Sequence, residues 1–178
     1  MCSISLSRVA QVHHPSEKTR QRANSVKITR QEMGIKQTTP AAEIDRYIER
    51  QVENINKAIV YNLQYIGEAC LNAARDTNSY KDRTGNLRSS LGYVIVRDGK
   101  IVYQSTFEVV KEGNMGAKSG IQYAKEVARQ FPEGIVLLVV AGMQYAAYVS
   151  AKGYDVMDSA ELLADKLVPQ ILKQLGFN

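Results

Sequence analysis

The chain has 178 residues, 44% of them hydrophobic, which suits one domain with a real core plus a tail. Its longest apolar stretch, Ile135 to Ala141, is strand-sized, and no run of about 18 apolar residues exists to cross a membrane. The net charge of +5 is unevenly placed: residues 1–32 carry six Lys/Arg against two acids, and the rest carries 17 against 16, too even a balance for a body that grips nucleic acid mainly through phosphates.

Residues 1–38 are polar, basic and without sustained periodicity, and read as an arm that stays disordered in isolation. They lack the continuous apolar core of a secretory signal, and Met33-Gly34 offers an alternative start. Residues 39–178 then read as a single α+β domain. Thr39-Pro40 forms a helix start, with Thr capping free amides and Pro at the first helical position. Ile44, Ile48, Val52, Ile55, Ile59, Leu63, Ile66, Cys70 and Ala73 follow at steps of three or four, predicting one helix of about 35 residues with an apolar stripe. The mean helix is about 11–12 residues, so this one must cross the whole domain or project beyond it.

Asp76 to Ser90 is polar and reads as a loop around Thr84-Gly85-Asn86. Leu91 to Arg97 and Ile101 to Tyr103 are β-rich runs joined by Asp98-Gly99, a strong hairpin signal because both turn residues take positive φ. Glu108 to Gly120 holds three glycines and is expected to be a flexible loop. A short helix follows over Ile121 to Phe131, ended by Pro132-Glu133-Gly134. Ile135 to Ala141 reads as a strand buried on both faces, and Met143 to Ser150 as a further strand-like segment. Asp158 and Glu161 fit a capping box, with Asp155 as an alternative cap, for a last helix that Pro169 should kink or split and Gly176 should close. The predicted architecture is α+β, with an antiparallel sheet of three to four strands.

Little in this pattern points to catalysis. The only histidines are His13 and His14, in the arm, so the body lacks a histidine base, a Ser-His or Cys-His pair and a histidine-containing zinc site. Cys2 and Cys70 do not make a disulfide framework, and a reducing compartment suits them. Cys70 lies on the apolar stripe and reads as a small hydrophobe. Asp155, Asp158 and Glu161 are the one carboxylate cluster that a Mg²⁺-dependent phosphoryl-transfer site would use, but the same spacing serves a capped helix start. The glycines at 113, 116 and 120 miss the Gly-Lys-Ser/Thr ending of a phosphate loop. Arg75, Lys81, Arg83 and Arg88 cluster around the Thr84-Gly85 loop. With the basic arm they form the alternative reading, a nucleic-acid-binding accessory protein. Tyr145, Tyr148 and Tyr154 fall close together, and tyrosine serves interfaces and half-buried strands alike.

Two segments resemble a known family when taken together. Arg83-Thr84-Gly85-Asn86-Leu87-Arg88-Ser89-Ser90-Leu91 follows a long helix, and Gln144-Tyr145-Ala146-Ala147-Tyr148-Val149 follows a late strand. The order and spacing resemble the tailed-bacteriophage tail-component family, of the head–tail joining or tail-completion type. Its pattern is T-G-x-L-x-x-S leading into a strand and later Y-A-x-Y-V-E-x-G-T. The resemblance spans roughly residues 40–178. It departs after Val149, where Ser150-Ala151-Lys152-Gly153-Tyr154 replaces the usual Glu and Gly-Thr. It implies a non-enzymatic virion protein without cofactor, metal or small-molecule substrate, made in the host cytoplasm. Such a protein assembles as a homo-oligomeric ring against neighbouring head or tail proteins, around the channel through which DNA passes without sequence-specific binding. The expected interface residues are then Arg83, Thr84, Gly85, Leu87, Arg88, Tyr145, Tyr148 and Tyr154.

Overall fold

The computed structural model describes residues 40–176. The arm and Thr39 lie outside that range. Helix α1 runs Ala41–Asp76, 36 residues, matching the length the apolar stripe predicts. Pro40 sits one position earlier than expected, as the N-cap, where its carbonyl accepts the amides of Glu43 and Ile44. Only the second half of the stripe is covered. Ile59, Leu63, Ile66 and Cys70 are buried, whereas every residue from Ala41 to Arg50 is exposed. The helix therefore projects.

The sequence loop after α1 contains a single helical turn, α2 (Asn86–Ser89), and leads into β1 (Leu91–Arg97). β1 turns through Asp98 (φ 49°) and Gly99 (φ 75°) into β2 (Lys100–Gln104), the hairpin that Asp-Gly predicts. Helix α3 covers Asn114–Ala128, β3 Ile135–Ala141, α4 Ala146–Ala151 and α5 Asp158–Gln174.

The three strands form one sheet in the order β2-β1-β3. Both neighbours are antiparallel to β1, with Leu91 opposite Ala141 and Arg97 opposite Ile135. β2 and β3 are thus parallel to each other on either side of β1, joined by a crossover through α3. The β1–β2 register shifts between Ile95 and Val96, whose partners are Tyr103 and Ile101. Val102 is the extra residue of this bulge, so Tyr103 and Ile101 pack on opposite faces of the sheet.

The sheet is the middle of three layers. Leu91, Tyr93, Ile95, Leu137 and Val139 meet α1 and α5, while Val94, Val96, Val136, Leu138 and Val140 meet α3 and Phe107. β3 is buried along its whole length because helices cover both sides. Tyr93 stacks on Tyr103 at 5.7 Å and donates its hydroxyl to Glu68 Oε1 at 2.8 Å. Its ring lies where a Cβ on Gly67 would stand, so the helix glycine makes room for the tyrosine.

Further expectations are corrected. The stretch Glu108 to Gly120 is not a loop throughout: α3 begins at Asn114 and absorbs Gly116 and Gly120. Those glycines serve close approach, since a Cβ on Gly116 would stand 1.9 Å from Asn86 O and one on Gly142 would stand 2.4 Å from Gly120 Cα. Met143 to Ser150 is not a strand but leads into α4, anchored by buried Ala146 and half-buried Val149 three positions on. Asp158 does not cap α5; it lies inside the first turn, and the Asp155 carboxylate accepts the Ser159 amide at 3.2 Å and bonds the Ser159 hydroxyl. Helix α5 continues through Pro169 without splitting. No helix among the described residues is long and apolar enough to cross a membrane.

Candidate assembly surface

The loop between α1 and β1 is tied at nearly every residue. Asp82 accepts the amides of Gly85 (3.0 Å) and Arg88 (2.9 Å), closing the turn that starts α2. Thr84 Oγ1 accepts from the Asn86 side chain at 3.1 Å. Asn86 Oδ1 in turn accepts the Gly116 amide at 3.0 Å, fastening the loop to α3. Ser89 Oγ accepts the Val110 amide at 2.8 Å, and Ser90 Oγ donates to Leu87 O at 2.7 Å. Gly85 holds φ 79°, and any Cβ there would meet Val110 O. The polar composition that reads as a solvated loop instead supplies its internal hydrogen bonds.

The basic cluster divides in two. Arg88 Nη2 donates to Thr77 O (2.8 Å) and Asn78 Oδ1 (3.4 Å), and its guanidinium lies 6.0 Å from the Tyr80 ring. Burial pushes the Tyr80 phenol up, against the opposing pull of Arg88. Arg75 pairs with Glu108 at 3.0 Å and donates to the carbonyls of Leu91 and Thr106. Both arginines are therefore spent on holding the chain together. Lys81 and Arg83 remain exposed.

The tyrosine segment lies at the same end of the molecule. Ser79 Oγ donates to Asp155 O at 2.9 Å, stitching the loop after α1 to the segment before α5. Burial and the nearby Asp82 charge push the Tyr145 phenol up. Tyr148 is 62% exposed, with Lys152 Nζ 4.6 Å from its ring centroid, and Tyr154 is also exposed.

The eight expected interface residues thus fall into three groups. Arg83, Thr84, Tyr145, Tyr148 and Tyr154 are exposed and available for contact. Arg88 is half-buried and faces inward. Gly85 and Leu87 are buried and shape the loop. The sequence reading missed Asp82, which organises the turn. Its signal was an Asp three residues before a glycine that takes positive φ. It also missed Tyr47, Tyr61 and Tyr65, exposed along α1 off the buried stripe.

Among the described residues, no three His, Cys, Asp or Glu side chains come together to hold a metal ion. The Asp155 carboxylate accepts the Ser159 amide at 3.2 Å, the contact of a helix cap. Cys70 is fully buried, and desolvation pushes its thiol up to about 11. A thiol held protonated this way is a poor nucleophile. Comparison with protein-family models, curated proteins and solved structures finds no match for this chain.

Proposed function

We propose that this chain is a structural subunit of a tailed bacteriophage or prophage, of the head–tail joining or tail-completion type, and that it acts by ring-like assembly rather than catalysis. The observation that carries this reading is the pair of motif-bearing segments, 83–91 and 144–149, found in the family's order. Their placement supports it: the loop at 82–90 is rigid, sits beside the tyrosine segment, and leaves Arg83, Thr84, Tyr145, Tyr148 and Tyr154 facing outward. Exposed tyrosines on a pre-ordered surface suit contact between subunits, because their rings add apolar area at low entropic cost. In a ring such contacts run head to tail and close by rotation.

The test has two readouts. Particles purified after prophage induction are analysed for the chain by mass spectrometry, and the full chain is imaged by negative-stain microscopy. The expected result is the chain in particles, as closed rings that the double substitution Tyr148→Ser, Tyr154→Ser disperses without loss of helicity. A chain found neither in particles nor in rings overturns the proposal.

A further inference from the structure

No further inference is drawn: the strongest candidate, the apolar face of Ile44, Ile48 and Ile55 on the projecting first half of α1, lies exposed and nothing in the structure shows what covers it.

Discussion

Gly85 shows how one residue sets the shape of the candidate surface. Its φ of 79° suits glycine, and a Cβ would stand 1.9 Å from the backbone carbonyl of Val110 in the neighbouring segment. Gly85→Ala should therefore destabilise the protein by about 1–3 kcal/mol from the left-handed conformation, with the clash adding to it. Urea denaturation of the two proteins checks this, and a variant as stable as the parent would show that the loop can relax. The residue was legible in sequence as part of a loop motif, but its role was not. Gly85 and Leu87 looked like contact residues because the motif is short and exposed in type. In the fold Leu87 is buried in the core and the motif spends its polar groups on itself.

At the scale of the element, the question is what holds a projecting helix straight as it leaves the domain. Glu53 receives both Arg97 nitrogens, at 3.1 and 2.7 Å, where the helix departs from the sheet. The Arg97 hydrogen bond holds the Glu53 carboxyl below its ordinary value of 4.5. A carboxyl depressed in the folded state contributes stability that is present above its unfolded pKa and is lost as pH falls through the folded one. The difference in stability between the wild type and Arg97→Met should then be full at neutral pH and shrink as pH drops below about 4.5. Urea titrations at pH 7 and pH 3 measure it. Glu53 is well exposed, so the effect should be small and should fade with added salt.

For the molecule as a whole, the three-layer stacking makes the interior inaccessible from any single side. Cys70 lies fully buried between α1 and the rest of its core, with its thiol raised to about 11 by desolvation. In a Cys2→Ala background the folded protein should leave a water-soluble disulfide reagent unreacted at pH 8, and the thiol should titrate fully in denaturant. Rapid reaction without denaturant would mean that α1 lifts from the sheet as a unit. The same stacking turns the glycines at 116 and 120 from apparent flexibility into close contact between α3 and its neighbours.

What could be read from the chain in advance was local and periodic. The long helix came from apolar residues every three or four positions, the hairpin from Asp98-Gly99 between β-rich runs, and the doubly buried strand from seven unbroken apolar residues. Each signal arises from neighbours in sequence, which is why helix length, hairpin and class emerged together. What remained hidden depended on residues far apart in the chain. Whether the glycines of α3 mean a loop or a tight helix contact depends on Asn86 and Phe107 standing opposite them. Whether Tyr145 begins a strand or a helix depends on the sheet having ended at Ala141. How much of the α1 stripe is covered depends on where α5 stops. An amphipathic pattern specifies which face seeks a partner, but the partner itself is fixed by packing across the whole fold.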